Sequence, residues 1–311
     1  MPILLTDIAG YVPPDRIDNL TRLAELETDE EFLRTKIGTT SVARAGGAST
    51  SELCVRAFER LAAASGITAQ ELDLMVVVTQ NPDGNGIPHT SAILHGRLGG
   101  RDDCAAFDLS LACSGFVYGL SLVESFMRTH ALRTAVLFTC DPYSATVDAA
   151  DRNTALLFGD AAAATLLRAD ARSGWKLGQF RFATRGSAHE AIHNRSGRLE
   201  MDGRGVFNFS ATAVPEQIRA LVADAGVTFE DIDLFLFHQG SKFIVDTLTR
   251  RLGLPPEKVP MTLADVGNTI SSSIPLAFAD HLHRPELRRV LISGFGGGLS
   301  WATGLLERSE S

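Results

Sequence analysis

With 311 residues, 45% of them hydrophobic and 21% charged, the chain has the apolar content for a substantial core, in one large domain or two fused half-domains. A formal net charge of -8 argues against a broad nucleic-acid-binding face, and no uninterrupted apolar stretch reaches the length of a membrane span. Residues 1–7 lack the basic-then-apolar order of a secretory signal, so a cytoplasmic protein is expected, and the cysteines at 54, 104, 113 and 140 have neither the spacing of a zinc ribbon nor that of a disulfide framework.

In chain order, residues 51–64 carry apolar positions at helical spacing, and Gly66 stops that helix before a segment that ends as a strand at 75–78. A helix ending at Gly96-Arg97-Leu98-Gly99 comes next, and after it residues 107–127 set one cysteine, Cys113, where an apolar strand joins an apolar helix. Gly115 and Gly119 leave one face of that helix nearly bare, so it is expected to be buried, with its N-terminal N–H groups favouring a Cys113 thiolate. A strand at 133–140 completes the series. The Gly-, Arg- and Asn-rich stretch 173–205 reads as the join between two halves of the chain.

The second half repeats the first. A helix at 215–225 ends before Gly226, then Val227 to Gln239 matches the passage after Gly66 almost position for position, giving a strand at 234–237. The next helix ends in Arg250-Arg251-Leu252-Gly253, another is expected over 269–280, and strands are expected at 289–293 and 299–307. Two βα halves with strands inside and helices outside account for the repetition, and the unbroken apolar runs suit central strands covered on both faces.

The repeat supplies a geometric argument for a site. Cys113 opens the helix after the third strand-like segment of the first half, and Asn268 opens the matching helix of the second. Under a pseudo-twofold axis both helix starts point to one place, and His238, at the end of strand 234–237, faces the same edge. The run Gly294-Phe295-Gly296-Gly297-Gly298 has no helix after it and is not a dinucleotide loop. Glycines at a strand end instead let backbone N–H groups approach a reacting carbonyl, as an oxyanion site requires. His189-Glu190 with His193 imitates a zinc motif, but nearby Gly186 and Gly197 leave little room for the helix that motif needs; His281 and His283 read as a solvated helix end.

These residues resemble the β-ketoacyl-acyl carrier protein synthase III family of thiolase-like condensing enzymes, over nearly the whole chain. The resemblance is carried by Ala112-Cys113-Ser114-Gly115-Phe116, Asp151-Arg152-Asn153-Thr154 with Phe158-Gly159-Asp160-Ala161, His238-Gln239, Gly267-Asn268-Thr269 with Ser273-Ile274-Pro275, and Gly294 to Gly298 with Trp301. It implies an α/β thiolase-like fold of two duplicated βα halves, residues 1–172 and 173–311, in αβαβα layers. It also implies Cys113 as the acylated nucleophile, a triad completed by His238 and Asn268, and an oxyanion site from the backbone N–H of Cys113 and Gly297. Phe32 and Lys36 align where the family often holds the CoA adenine with tryptophan and arginine, Arg152 matches a CoA contact, and Ile87 lies by an acyl pocket that reaches across a homodimer; Phe207 and Phe295 are placed in the substrate site.

The implied activity is loading of an acyl thioester onto Cys113, then decarboxylative condensation with a malonyl thioester on CoA or an acyl carrier protein, with no metal or other cofactor. Two departures stand out: the weaker adenine clamp, and Gly240-Ser241-Lys242-Phe243 after His238-Gln239, where Phe243 aligns with an arginine that docks the carrier protein, although Lys242, Arg250 and Arg251 keep that helix basic. They place a specialised biosynthetic role beside fatty-acid initiation. The rival readings are a cysteine hydrolase, an acyltransferase to an oxygen or nitrogen nucleophile, and a non-catalytic partner subunit.

Overall fold

The structure is a computed structural model and describes residues 2–309. Strand β1 (Leu4–Tyr11) precedes a small antiparallel pair, β2 (Arg16–Asp18) and β3 (Ser41–Ala43), which flanks the single turn α1 (Glu30–Phe32). Then come α2 (Thr50–Ser65), β4 (Leu74–Val78), α3 (Thr90–Leu98), β5 (Ala105–Leu109), α4 (Gly115–Thr129), β6 (Thr134–Cys140), the short α5 (Arg152–Ala155) and β7 (Ala162–Arg168). The remainder is β8 (Gly174–Thr184), the hairpin β9 (Ile192–Arg195) and β10 (Arg198–Met201), α6 (Gly203–Asp224), β11 (Leu234–Phe237), α7 (Lys242–Leu252), α8 (Ser273–Ala279), β12 (Arg289–Gly296) and β13 (Ser300–Ser309). Local chemistry sets these limits: Ser49 and Glu52 form a reciprocal capping box at the start of α2, and Gly66, at φ 73°, ends it in the left-handed conformation.

Nine strands run in the order β11-β12-β13-β8-β1-β7-β6-β4-β5. The order β4-β6-β7-β1 on one side recurs as β11-β12-β13-β8 on the other, with the parallel pair β4/β6 matched by the parallel pair β11/β12. The two series meet where β1 pairs with β8, through Leu4 with Lys176 and Leu5 with Trp175.

Alternation along each central strand sorts the helices into layers. Val76 and Val78 of β4, Leu137 of β6, Leu234 and Leu236 of β11 and Val290 and Ile292 of β12 all turn into one shared core. Filling it are Phe116, Leu120, Val123 and Met127 of α4 with Ile274, Ala277 and Phe278 of α8. The other faces bury Met75, Val77 and Phe138 under α2, and Phe235, Phe237 and Leu291 under α6 and α7. The result is five layers, αβαβα, as the resemblance implied. A buried Leu, Ile or Phe side chain contributes roughly 1.5–3 kcal/mol, so the shared middle layer, rather than the brief β1/β8 pairing, holds the two sheets together. Among the described residues no helix is long and apolar enough to cross a membrane.

The structure corrects two expected elements and fills in a third stretch. The stretch 173–205 holds the eleven-residue strand β8, whose alternating Trp175 and Leu177 reach the core, and the hairpin β9/β10. Helix α6 begins at Gly203, twelve residues before Pro215, because Asp202 caps it by accepting from the N–H groups of Arg204 and Gly205, and Pro215 is carried inside it. The helix expected over 269–280 is a 3-10 turn, Ile270–Ser272, followed by α8.

The bare face of α4 is a steric requirement. A Cβ on Gly119 would stand 2.9 Å from Cδ1 of Leu137, and one on Gly115 would collide with Val78. Gly119→Val should therefore destabilise the protein by about 1–3 kcal/mol in urea denaturation, and unchanged stability would show that α4 is not seated closely on β6.

Candidate active site

Backbone contacts fix each central functional side chain, and for Cys113 and Asn268 those contacts join the two halves. Cys113 sits in the turn between β5 and α4, where the N–H of Gly115 donates to the carbonyl of Ala112 at 2.7 Å and the hydroxyls of Ser114 and Ser300 lie 2.7 Å apart. The end of β12 presses against this turn: a Cβ on Gly294 would come within 2.5 Å of the Cys113 carbonyl oxygen, and one on Gly296 within 2.8 Å of Sγ. His238 follows β11, its N–H donating to Ser293 at 2.8 Å. Asn268 is reached from the first half: its N–H donates to Leu157 at 2.8 Å and its carbonyl accepts from Gly159 at 3.0 Å.

Cys113, His238 and Asn268 line a single cavity of about 370 Å³. Its remaining wall is mostly apolar, with Phe32, Leu157, Phe158, Ile192, Met201, Phe207, Phe243, Ile244 and Phe295. Phe295 meets the His238 ring edge-on, with centroids 5.5 Å apart. Phe207 stacks on Phe243 at 4.8 Å, and the Lys36 ammonium lies 3.7 Å from the Phe243 ring centroid.

Polar neighbours orient the amide and the imidazole. The Oδ1 of Asn268 accepts from the N–H of Ile270 at 2.9 Å and its Nδ2 donates to Gly240 at 3.4 Å, which leaves one amide N–H uncommitted. Ile270 adopts a left-handed φ of 55°, uncommon for a β-branched residue, to deliver that contact. The Nδ1 of His238 lies 2.8 Å from the hydroxyl of Ser273, which donates to the Ile270 carbonyl at 3.0 Å.

Electrostatics overturn one expectation. Burial pushes the Cys113 thiol well up, and the nearby buried Asp141 carboxylate adds to the shift; only a backbone contact opposes them. Helix α4 starts two residues beyond Cys113, and desolvation outweighs its N-terminal field, so the resting group is a thiol. Burial also pushes His238 down to about 3, keeping its ring neutral. Asp141, held by the N–H groups of Gln80 and Ser271 and by the Ser271 hydroxyl, is pushed up by burial to about 6. The site thus pairs a protonated nucleophile with a neutral base.

Of the residues placed here from the sequence, Cys113, His238, Asn268, Phe32, Lys36, Phe207 and Phe295 come together around the cavity. Gly297 does not line it; Gly296 does, while Gly297 borders a second, more polar cavity with Tyr143 and Asn81. Arg152 stands just outside, donating to the Glu27 carbonyl at 3.2 Å, and its neighbour Asn153 lines the wall instead. Ile87 is 87% exposed and away from the cavity within one chain. His189 lies in a 3-10 turn and His193 faces Glu200 across β9/β10, so they share no helix face. Among the described residues no group of three or more His, Cys, Asp or Glu could hold a metal ion. The sequence reading missed Asp141 and the part played by Ser273; the latter's signal was the buried serine run 271–273 beside Asn268.

Comparison with known proteins identifies what the chain is similar to. Residues 107–186 match the family 3-oxoacyl-[acyl-carrier-protein] synthase III, and residues 222–308 match its C-terminal family. A β-ketoacyl-[acyl-carrier-protein] synthase III from Streptococcus sanguinis is 31% identical, covering 96% of this chain and 97% of that protein. The crystal structure of 3-oxoacyl-(acyl carrier protein) synthase III from Pseudomonas aeruginosa superposes with a TM-score of 0.90 at 31% identity, covering 100% of this chain and 99% of the other. The priming β-ketosynthase of the R1128 polyketide pathway gives 0.88 at 28% identity, covering 98% and 96%.

A neutral His238 has a measurable consequence. It resists protonation in the folded state down to about pH 3, against an ordinary value of 6.5, so the unfolded chain binds more protons in that window and the folded state loses stability as pH falls through it. Asp141 shifts the opposite way and is common to both proteins in a comparison with His238→Gln. Between about pH 6.5 and 4.5 the wild type should lose roughly 2 kcal/mol more stability than His238→Gln in denaturant titrations. Equal acid sensitivity would contradict a buried neutral imidazole.

Proposed function

The chain belongs to the 3-oxoacyl-[acyl-carrier-protein] synthase III family and is a condensing enzyme of the acyltransferase class; on that premise we propose that Cys113, His238 and Asn268 carry its two half-reactions. The observation that supports this reading is their joint exposure to one apolar cavity, with a thiol that needs a base and an imidazole that is neutral. In the loading step Nε2 of His238 takes the thiol proton as Sγ attacks the carbonyl of an acyl thioester. The backbone N–H of Cys113 receives the tetrahedral oxyanion, the expected second donor Gly297 lying outside this cavity, and the donor leaves as a thiolate. The acyl group then rests on sulfur behind an aromatic wall that keeps water away.

In the second step a malonyl thioester enters and loses CO2. The enolate oxygen takes hydrogen bonds from the uncommitted Nδ2 N–H of Asn268 and from the imidazole of His238, and its carbon attacks the acyl-cysteine to give a 3-ketoacyl thioester. A hydrolase gains nothing from such an amide or from a dry cavity. An acyltransferase to oxygen or nitrogen would likewise have no use for an enolate donor. The arm of CoA or of an acyl carrier protein enters past Phe32, Lys36, Phe207 and Phe243, with Arg152 beside the mouth and Lys242, Arg250 and Arg251 offering positive charge to the carrier. Fatty-acid and specialised biosynthesis both fit this chemistry, and the enzyme works in the cytoplasm.

The same reading makes the enzyme a homodimer. β5 is an edge strand whose residues are all half-buried, and Phe107 on it meets Phe126, ring centroids 5.5 Å apart. An apolar, unpaired edge of this kind invites pairing with a second copy, which would also bring the exposed Ile87 to a neighbour's acyl pocket.

Cys113→Ala should form no acyl adduct in intact-protein mass spectra. Asn268→Ala should load within a few-fold of the wild-type rate yet condense about a hundredfold more slowly; equal losses in both steps would remove Asn268 from enolate stabilisation. In sedimentation experiments the wild type should run as two 33.4 kDa chains and Phe107→Glu as one, whereas a monomeric wild type would refute the dimer.

A further inference from the structure

Proton balance sets a demand on the buried reaction site. Decarboxylative condensation breaks the bond from malonyl carbon to carboxylate, forms the new carbon–carbon bond, and breaks the bond from acyl carbon to Cys113 sulfur. CO2 departs uncharged and a thiolate remains, so one proton must be taken up to restore the thiol that burial enforces. Loading runs the other way, because the thiol proton leaves as sulfur is acylated. Condensation therefore needs one proton delivered to this buried site in every turnover, and the thiol proton freed in loading must reach either the departing thiolate or solvent.

A third cavity, of about 260 Å³, is lined by Gln239, which follows His238 in the chain, and by Ser273. It shares no lining residue with the reaction cavity. Its inner wall holds the buried Ser273, Gln239 and Thr269; its outer wall holds the half-buried Val12 and Thr262 and the exposed Asp280, so it runs to the surface. Its volume far exceeds the ~10–15 Å³ that one water needs, and the hydroxyl-bearing Thr262, Thr269 and Ser273 on its wall are its candidate polar partners. Ser273 belongs to this wall and also stands 2.8 Å from Nδ1 of His238.

We propose that Ser273 relays protons between Nδ1 of His238 and water in this cavity, a route that rests on the roles proposed for Cys113 and His238. During loading, Nε2 takes the Cys113 proton, Nδ1 gives its own to Ser273 Oγ, and the serine hydroxyl turns from the Ile270 carbonyl and passes its proton to cavity water. The expelled thiolate takes a proton from solvent at the front. His238 is left carrying hydrogen on Nε2, the tautomer that donates to the enolate oxygen. During condensation that proton goes to the Cys113 thiolate, Nδ1 takes the Ser273 hydroxyl proton, and cavity water restores the hydroxyl. The imidazole thus alternates between base and donor while remaining neutral at the end of each step.

The test measures single-turnover loading and malonyl-driven discharge by quenched intact-protein mass, across mixtures of H2O and D2O, for wild type, Ser273→Ala, Ser273→Thr and Ala279→Leu, the last narrowing that cavity at a residue remote from the chemistry. Wild type should show curved proton inventories, with more than one proton in flight. Ser273→Ala should slow both steps by at least about tenfold and give linear inventories, Ser273→Thr should restore rate and curvature, and Ala279→Leu should slow both steps. Unchanged rates in Ser273→Ala or Ala279→Leu, or curvature that survives in Ser273→Ala, would overturn the relay; a merely structural role lowers rates without removing the curvature. A wild type that never forms an adduct would instead defeat the roles of Cys113 and His238.

Discussion

Contact between the Cys113 turn and the glycine end of β12 is the constraint on which the rest of the site depends. Gly294 and Gly296 bring backbone from the second half against the carbonyl and sulfur of a residue in the first, at separations that leave no room for a Cβ. That closeness requires α4 to lie deep between the sheets, and Gly115 and Gly119 allow it to do so. Moving α4 outward by the thickness of one side chain would take Sγ away from His238, which is fixed to β12 through Ser293. The middle-layer core of α4 and α8 is therefore both the main hold between the halves and the positioning device for the chemistry.

Burial gives this arrangement its reactivity and its restrictions. A solvated cysteine beside a helix N-terminus would ionise readily and react with many electrophiles; here desolvation keeps the thiol protonated until substrate arrives. The same dry environment keeps His238 neutral, makes each hydrogen bond to a developing oxyanion stronger, and shields the acyl-cysteine from water. The cost is restricted proton traffic. Ser273 and the cavity it lines answer that restriction without opening the aromatic wall at the front.

Much of this was legible in the sequence because duplication exposes it. The paired passages after Gly66 and Gly226 placed Cys113 and Asn268 at equivalent helix starts and His238 at a strand end, and these three do line one cavity. What escaped the sequence depended on context that periodicity does not carry. Strand β8 was hidden among glycine, arginine and asparagine because only Trp175 and Leu177 mark its inward face. Helix α6 was cut short at Pro215, a residue that starts helices more often than it sits within them. The thiolate expected at Cys113 failed because the field of a helix terminus is local and modest, whereas complete burial is the larger effect. Asp141 gave no signal at all, since its importance comes from the Ser271 contacts 130 residues away.

The most direct test of the account tracks the fate of the acyl group once it is on the enzyme. Protein carrying an acyl adduct, freed of donor, is mixed with malonyl-CoA or a malonyl-carrier protein, and adduct loss, CO2 release and products are measured together. The account predicts one CO2 for each adduct lost and a 3-ketoacyl thioester whose ketone carbon comes from the adduct. Discharge as free acid, ester or amide, with the malonyl thioester left intact, would contradict it.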